Sequence, residues 1–238
     1  MKLVYKNIVV TGGSKGIGKG ISKIFLEHGA KLFICGRNID DLNNAYNELA
    51  FYGEIVCVQA DLTDMNDVEK LRTSIMKKWD HVDVLVNNAS ILGSRKTIEE
   101  YPENIWNEVL NVNLNAQFYI TKKLIPLMKN KYGSSSIINV SSSVGRICRA
   151  NWGAYSVSKS GLEALTTILS QELKQYNIRV NSVNPGGTRT DMRAEAYPEE
   201  DPETLPTPED ISPVFVYLAS DESFGETGNQ YNARDWIK

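Results

Sequence analysis

Two residues that can exchange protons lie one turn apart in a helical pattern. In the segment AYSVSKSGLEAL, residues 154–165, Tyr155 and Lys159 share one helix face. A phenol ordinarily loses its proton only near about pH 10, but an ammonium group held beside it favours the phenolate and lowers its pKa. The pair could therefore serve as a general acid and base. The same spacing also occurs on solvated helix faces, so the rest of the chain must decide between the two interpretations.

A glycine-rich loop near the N-terminus has the context of a dinucleotide site. The loop TGGSKGIG, residues 11–18, follows an apolar run and opens a helical pattern. Gly12 would make the tight turn, Gly16 would let the backbone approach a pyrophosphate, and Gly18 would let helix and strand pack closely. The helix N-terminus would add N–H donors and a partial positive charge. The alternative is a glycine-rich turn without a ligand, and the spacing TGxxxGxG differs from the usual GxGxxG.

The elements that must position these residues alternate between apolar runs and helical patterns. Six runs are apolar on both faces, as in a parallel sheet covered on each side: residues 7–12, 31–36, 54–60, 82–89, 136–142 and 178–186. Five helical patterns lie between them, at residues 16–28, 40–51, 64–78, 102–130 and 153–176, and a last short strand is expected at 230–232. The alternation predicts an α/β fold of Rossmann type, with about seven parallel strands and helices on both faces. No internal repeat or linker divides the chain, so we expect one domain over residues 1–238.

Bulk composition excludes several classes of protein. The 238 residues carry a formal net charge of −3, which lacks the basic excess of a nucleic-acid binder. Cys35 and Cys57 lie in apolar runs, and with Cys148 they make an odd count, so we expect buried free thiols rather than disulfides. With two histidines and no cysteine pair motif, no metal site is expected. No secretory leader or membrane-length apolar run is evident, which predicts a soluble cytoplasmic protein.

One segment interrupts the alternation of strands and helices. Residues 195–210 hold seven acidic residues and four of the eight prolines. Such a composition favours a mobile surface segment over a packed element. We expect a lid over residues 190–210, because flexible segments gate many active sites.

Five further motifs follow the glycine loop in a definite order. They are NNA (87–89), NVNL (111–114), NVSSS (139–143), YSVSK (155–159) and NPGGTRT (184–190). Tyr155 lies thirteen residues after Ser142. In order and spacing the chain resembles the short-chain dehydrogenase/reductase family from Asn7 to about Gly228. The stretch NPGGTRTDMRAEAYP is also similar to a bacterial subgroup of such oxidoreductases with no assigned substrate.

The resemblance implies a catalytic set of Asn113, Ser142, Tyr155 and Lys159. Ser142 would hydrogen-bond the substrate oxygen, Asn113 would hold a water of the proton relay, and Lys159 would also bind the nicotinamide ribose. Without the resemblance, Ser142 is one of three consecutive serines at a strand end, and Asn113 is one of several asparagines on a solvated helix. The implied cofactor-binding residues are Gly12, Ser14, Lys15, Gly16, Ile17, Gly18, Arg37, Asn38, Asp61, Leu62, Asn88, Ala89, Tyr155, Lys159, Pro185, Gly186, Thr188 and Thr190.

The residues after the second strand predict which nicotinamide cofactor is bound. An NAD site usually has an acidic residue there, but this chain has Gly36 followed by Arg37. A guanidinium group suits the 2′-phosphate of NADP, and Lys15 could add a second positive charge. We therefore predict that NADP(H) is preferred over NAD(H), unless Arg37 is only a solvated loop residue. Asp61 and Leu62 resemble the residues that meet the adenine.

Two departures from the family pattern concern the substrate end. Ser90 replaces the glycine of the usual NNAG motif, and the C-terminal segment TGNQYNARDWIK lacks the usual glycine pair. Ile147, Cys148, Arg149 and Trp152 could line the substrate pocket or merely pack in a loop. Arg146, Arg149, Arg189 and Arg193 could offset the acidic charge of residues 195–210.

These observations together predict an NADP(H)-dependent oxidoreductase that interconverts a small-molecule carbonyl and an alcohol. The long fourth and fifth helices resemble the family's subunit contacts, so a homodimer or homotetramer is expected, with no nucleic-acid or membrane partner. One alternative is a catalytically silent NADP(H)-binding regulatory or scaffold protein. Another is an epimerase or dehydratase, which the short chain and single small lid disfavour.

Overall fold

A seven-stranded parallel sheet forms the centre of the computed structural model, which describes residues 1–129 and 133–237. The strand order is β3-β2-β1-β4-β5-β6-β7, and every neighbouring pair is parallel. The strands are β1 (Asn7–Thr11), β2 (Lys31–Gly36), β3 (Ile55–Gln59), β4 (Val84–Asn87), β5 (Ser135–Val140), β6 (Ile178–Asn184) and β7 (Gln230–Asn232). The predicted α/β fold of Rossmann type is confirmed, including the short last strand.

Helices cover both faces of this sheet. They are α1 (Gly16–Glu27), α2 (Ile39–Leu49), α3 (Met65–Met76), α4 (Glu103–Leu110), α5 (Ala116–Met128), α6 (Ser143–Arg146), α7 (Gly153–Glu172), α8 (Asp191–Ala196) and α9 (Pro213–Ala219). Successive side chains of β1 point to opposite sides, as a strand requires. Ile8 and Val10 pack in one core with α1, α2 and α9, whereas Val9 packs in a second core with α3, α5 and α7.

The strand order reverses beside β1, which pairs with β2 on one side and β4 on the other. In sheets of this kind the loops that follow the strands diverge at the reversal and leave a crevice at the carboxyl ends. The glycine-rich loop after β1 and the NNA segment after β4 meet there. The fold therefore brings together two motifs that lie about seventy residues apart.

The predicted helix at residues 102–130 is not continuous, which corrects that expectation. A π-helical turn, Asn111–Asn115, separates α4 from α5. Here Gln117 Nε2 donates to the carbonyl oxygen of Val112 at 3.0 Å, so a side chain bonds a backbone group inside the turn. The predicted end at Asn130 lies outside the described residues.

Two other boundaries differ for identifiable reasons. Strand β4 ends at Asn87 rather than residue 89, because the N–H groups of Asn88 and Ala89 bond the Thr11 side chain instead of a sheet neighbour. Helix α7 ends at Glu172 and continues as a short 3₁₀ turn, Lys174–Tyr176. Asn177 stops it in the left-handed conformation, with φ of 55°.

Some predictions about exposure are wrong. The thiols are free as expected, but only Cys35 is buried; Cys57 is half-buried and Cys148 is exposed. The acidic segment, residues 195–210, lies at the surface as expected; it starts with the last two residues of α8 and includes a 3₁₀ turn, Pro202–Thr204. Across the described residues, no helix combines the length and apolar character needed to cross a bilayer.

Candidate active site

The glycine loop has the backbone shape that only glycines tolerate. Gly12 and Gly16 have φ values of +61° and +49°, in the left-handed region. A Cβ on Gly12 would lie 2.9 Å from the Cα of Ala89, and one on Gly18 would lie 2.3 Å from the carbonyl oxygen of Gly12. The loop therefore lies tightly against the end of β4, and Gly18 keeps α1 close beneath it.

The first turn of α1 is left open to an anion. Lys15 is the N-cap residue, its side chain makes no capping bond, and no acidic side chain lies in the first turn. The unpaired N–H groups and the helix dipole together favour a negative ligand. The Lys15 ammonium group instead lies 2.8 Å from the Asp41 carboxylate. This hydrogen bond to Asp41 raises the pKa of Lys15.

Thr11 and Asn88 join the ends of β1 and β4. The Oγ1 atom of Thr11 accepts hydrogen bonds from the N–H groups of Asn88 and Ala89 at 2.9 and 3.0 Å. The Nδ2 group of Asn88 donates in turn to the carbonyl oxygens of Thr11 and Gly12. These bonds hold the floor of the crevice in one arrangement.

The π-helical turn holds the segment that follows β4. The Asn113 side chain, fully buried, bonds both backbone groups of Ile91, and its Nδ2 group also lies 3.2 Å from the Ser158 hydroxyl. Gln117 Nε2 donates to the carbonyl oxygen of Ala89 at 2.8 Å. Ser90 is therefore flanked on both sides by backbone that Asn113 and Gln117 hold.

Tyr155 and Lys159 lie close together near the start of α7, as their spacing predicted. The Lys159 ammonium nitrogen lies 5.7 Å from the centre of the Tyr155 ring and donates to the carbonyl oxygen of Val140 at 2.8 Å. Ser142 precedes α6, and its hydroxyl accepts a hydrogen bond from the Val144 N–H, which caps that helix.

The expected lowering of the Tyr155 pKa does not hold in the protein alone. Burial disfavours the phenolate and raises the pKa of Tyr155, and the hydroxyl contacts with Ser90 and Ser142 offset only part of this effect. Burial also lowers the pKa of Lys159 to about 8. The prediction considered only the charge of Lys159 and could not include the desolvation of both groups.

A buried polar network lies behind Lys159 along α7. The Glu163 carboxylate accepts from Arg146 Nε at 2.9 Å and from the Ser182 hydroxyl at 2.6 Å. Burial alone would raise the pKa of Glu163, but polar contacts with Ser141, Ser182 and Arg146 outweigh it and lower that pKa. Arg146 is thus engaged inside the protein, so the expectation that it offsets the charge of residues 195–210 is wrong.

A cleft of about 420 Å³ runs from the end of β2 past the glycine loop to Tyr155. Most residues predicted to bind the cofactor line it: Gly12, Ser14, Lys15, Gly16, Ile17, Arg37, Asn38, Asp61, Leu62, Asn88, Ala89, Tyr155, Lys159, Pro185 and Thr190. Gly18, Gly186 and Thr188 do not line it, nor do Asn113 and Ser142. Gly18 lies beneath the loop, where its lack of a side chain lets α1 pack against Gly12. The Thr188 hydroxyl is turned toward the carbonyl oxygens of Pro185 and Gly186.

The far end of the cleft carries the residues expected to meet the adenine and its ribose. Arg37 Nη1 lies 3.9 Å from the Glu108 carboxylate, and the Arg37 side chain is about half exposed (53%). Asn38 caps α2 with its side chain, which accepts from the N–H groups of Asp40 and Asp41. The Asp61 carboxylate accepts from Thr63 through both its N–H and its hydroxyl. Arg37 thus keeps most of its donor capacity for a ligand.

Several lining residues escaped the sequence analysis. Val112 and Ala116 lie one turn apart on the helical side of the cleft, and Asp41, Ser141 and Met192 also line it. Asp41 could have been suspected as a lining residue, because it is acidic and lies in the first turn of α2. Val112 and Ala116 carry no such signal, because any helix presents small apolar side chains to its neighbours.

At the substrate end, three segments meet around one arginine. The Arg95 guanidinium carbon lies 4.3 Å from the Trp152 ring centre and 4.9 Å from that of Tyr197. Arg95 Nη1 also donates to the carbonyl oxygen of Ala196. The Trp152 ring is 5.7 Å from the Tyr155 ring, centre to centre. Of the residues suggested for this pocket, Trp152 is therefore placed beside Tyr155, whereas Ile147, Cys148 and Arg149 are exposed.

Arginines do bind the acidic segment, though not all those suggested. Arg193 forms a two-pronged pair with Glu200, with Nη2 to Oε1 at 2.7 Å. Arg189 lies 3.1 Å from the Glu203 carboxylate and also donates to backbone oxygens of the segment. Acidic side chains of the segment thus help to hold it in place through ion pairs with these two arginines.

Comparison with known proteins agrees with this geometry. The family model described as short chain dehydrogenase matches residues 6–201. The uncharacterised oxidoreductase YciK of Escherichia coli (strain K12) is 37% identical over 231 residues, which covers 95% of this chain and 91% of that protein. The NADP-dependent (R)-specific alcohol dehydrogenase of Lentilactobacillus kefiri is 36% identical, with 97% and 95% of the two chains covered.

A solved structure extends the similarity to three dimensions. A Shigella flexneri 2a protein described as a short chain dehydrogenase, crystallised in complex with NADP, superposes with a TM-score of 0.92. It is 36% identical in sequence, and the alignment covers 98% of each chain. The similarity therefore spans both the glycine-loop end and the Tyr155 end of the cleft.

Proposed function

Because the chain belongs to the short chain dehydrogenase family, we propose that it is an NADP(H)-dependent oxidoreductase that interconverts a small-molecule carbonyl and an alcohol. One observation carries this proposal. Tyr155 and Lys159 line one end of a single cleft, and the other end presents Arg37 and the open N-terminus of α1. The cleft thus joins groups suited to move a proton with groups suited to hold a phosphorylated cofactor.

The residues present fit a dinucleotide. Gly12 and Gly16 leave space where side chains would intrude, and the first turn of α1 offers N–H groups without a competing carboxylate. The positive charges of Arg37 and Lys15 suit the 2′-phosphate that distinguishes NADP from NAD. Two of the relatives described above, one NADP-dependent and one crystallised with NADP, support NADP(H) as the cofactor. When bound, the nicotinamide supplies or accepts the hydride. Lys159 would hold the ribose beside it.

Tyr155 would transfer the proton at the substrate oxygen. In the reducing direction its phenol donates a proton to the oxygen as negative charge develops there. The Ser142 hydroxyl donates a hydrogen bond to the same oxygen and stabilises that charge. Because burial raises the pKa of Tyr155, the phenol stays protonated through neutral pH and remains available as the acid. Lys159 supplies the positive charge that favours phenolate when the reaction runs toward oxidation.

Asn113 supports these groups by position. Its side chain holds the backbone of Ile91, next to Ser90 in the wall of the cleft. A water relay at Asn113 stays a prediction.

We also propose one catalytic domain with a lid over residues 190–210, working in the cytoplasm as a homodimer or homotetramer. Exposed apolar side chains on α5 and α7, such as Phe118 and Ile168, support self-association.

The test compares binding with turnover in the variant Tyr155→Phe. Purified wild-type protein and variant are titrated with NADPH while the melting temperature is followed, then assayed for NADPH oxidation against a panel of ketones and aldehydes. We expect equal stabilisation by NADPH, about 2.7 kcal/mol at one hundred times the Kd, and turnover only in the wild type. NADPH binding with no turnover of any carbonyl by the wild type would favour the silent regulatory alternative. A product with unchanged oxidation state would favour the epimerase or dehydratase alternative.

A further inference from the structure

We propose that Asp41 is a specificity-determining residue: its carboxylate competes with the 2′-phosphate of NADP(H) for the Lys15 ammonium group, and so limits the preference over NAD(H). The inference rests on the proposed function, in which the far end of the cleft holds the adenosine part of that cofactor. The ion pair that carries it joins Lys15 Nζ to Asp41 Oδ2 at 2.8 Å. Both residues line the cleft beside Arg37.

The two partners of this ion pair differ in how freely they can move. The Lys15 side chain is 62% exposed and makes no capping bond to α1, so its flexible stem can turn to another anion. The Asp41 side chain is only 23% exposed. It projects from the first turn of α2, where the Asp41 N–H donates to Asn38 Oδ1 at 3.1 Å. A phosphate can therefore draw Lys15 away, whereas the negative charge of Asp41 stays in the wall of the cleft.

The first turns of α1 and α2 receive an anion differently. No acidic side chain lies in the first turn of α1, whereas Asp40 and Asp41 both lie in the first turn of α2. Carboxylates at that place already interact with the positive end of the α2 dipole, which would otherwise attract a phosphate. The N-terminus of α1 is thus open to a pyrophosphate, while the protein's own charges occupy that of α2.

The charges around the cleft cancel one another. Among the described residues that line it, the basic ones are Lys15, Arg37 and Lys159, and the acidic ones are Asp41, Asp61 and Asp191. Arg37 also has a carboxylate nearby, because its Nη1 atom lies 3.9 Å from Glu108 Oε1. Of these two carboxylate contacts, that of Asp41 is the shorter, and Glu108 does not line the cleft. A 2′-phosphate therefore meets a site without net positive charge, and Asp41 is the closest cause.

The first test measures cofactor binding in Asp41→Asn, which removes the charge and keeps the shape of the side chain. In fluorescence titrations at low ionic strength, the Kd for NADPH should fall about fivefold, because the phosphate no longer competes for an exposed ion-pair partner. The Kd for NADH should stay nearly constant, since a ribose hydroxyl carries no charge for Lys15 to bind. An unchanged Kd for NADPH would overturn the inference. A higher one would do so too, because Asp41 would then position Lys15 for the phosphate.

The matched control is Asp40→Asn, which removes the neighbouring carboxylate of the same helical turn. Asp40 is exposed and does not line the cleft, so both dissociation constants should keep their wild-type values. Equal tightening of NADPH in Asp40→Asn and Asp41→Asn would reduce the effect to the general charge of α2, and the inference would be wrong.

A second test asks whether Asp41 acts through Lys15. In the Lys15→Met background, adding Asp41→Asn should tighten NADPH much less than in the wild type, because no ammonium group is left to release. An equal gain in both backgrounds would overturn the inference. The proposed function fails separately: if the wild type bound neither cofactor, both would be overturned. NADPH binding that Asp41→Asn does not tighten would overturn the inference alone.

Discussion

The side chain of Asn113 holds the backbone of Ile91 from both of its polar groups. Oδ1 of Asn113 accepts from the Ile91 N–H at 2.8 Å, and Nδ2 donates to the Ile91 carbonyl oxygen at 2.9 Å. The two bonds resemble the paired bonds between neighbouring strands, although Asn113 belongs to a helix and Ile91 to a loop twenty-two residues away. They are possible because the π-helical turn at Asn111–Asn115 orients Asn113 toward the end of β4.

Replacing Asn113 should therefore weaken both stability and turnover. In Asn113→Ala, two backbone groups of Ile91 lose their partners, and unfolding free energy should fall by about 1–3 kcal/mol. Urea denaturation measures the loss. The control Asn111→Ala removes an exposed asparagine of the same turn, which bonds only Asn115, and should cost far less. Equal losses in the two variants would contradict the role assigned to Asn113.

Arg37 should decide which cofactor binds. In Arg37→Ala we expect the Kd for NADPH to rise about 10- to 100-fold, because a charge-assisted hydrogen bond to the 2′-phosphate is lost. The Kd for NADH should stay nearly constant, since that ligand has a hydroxyl at the same place. Fluorescence titration with both cofactors measures the two constants, and Arg72→Ala on α3 serves as the control. Parallel losses for NADPH and NADH would refute the assignment.

Lys159 should make stability rise with pH above neutrality. Burial lowers the pKa of Lys159 in the folded protein from 10.5 to about 8. Between these values the unfolded chain binds the additional proton, so raising the pH favours the folded state. From pH 7.5 to 9.5 the unfolding free energy of the wild type should gain roughly 2 kcal/mol relative to Lys159→Met.

Urea denaturation at the two pH values measures this difference. Lys77→Met, which replaces an exposed lysine, should keep the pH dependence of the wild type. A difference between wild type and Lys159→Met that does not change with pH would show that Lys159 is not desolvated as the structure indicates.

Arg95 should control the segment after α8. Its guanidinium group packs on Trp152 and Tyr197 and bonds the Ala196 carbonyl oxygen, so Arg95→Ala separates this segment from the wall beside Tyr155. Two lost cation–π contacts should raise KM for a carbonyl substrate about tenfold, while NADPH affinity stays constant. Limited proteolysis should also cut residues 197–205 faster. If the exposed neighbour Lys96→Ala has the same effects, the contacts of Arg95 are not responsible.

Local spacing was enough to predict much of this protein. The alternation of apolar runs and helical patterns led to the parallel sheet, because each element must bury its own apolar face. The glycines at positions 12, 16 and 18 and the pairing of Tyr155 with Lys159 were also accessible, since they depend on neighbours within one loop or one helical turn.

Contacts between distant segments decided the rest. The bonds from Asn113 to Ile91, the ion pair of Arg146 with Glu163 and the packing of Arg95 on Trp152 and Tyr197 each join residues remote in the chain. No periodicity of the sequence records such contacts. The direction of the Tyr155 pKa shift followed from burial, which exists only once α7 and its neighbours have excluded water. Sequence spacing therefore locates the reacting groups, whereas tertiary packing sets their environment and hence their acidity.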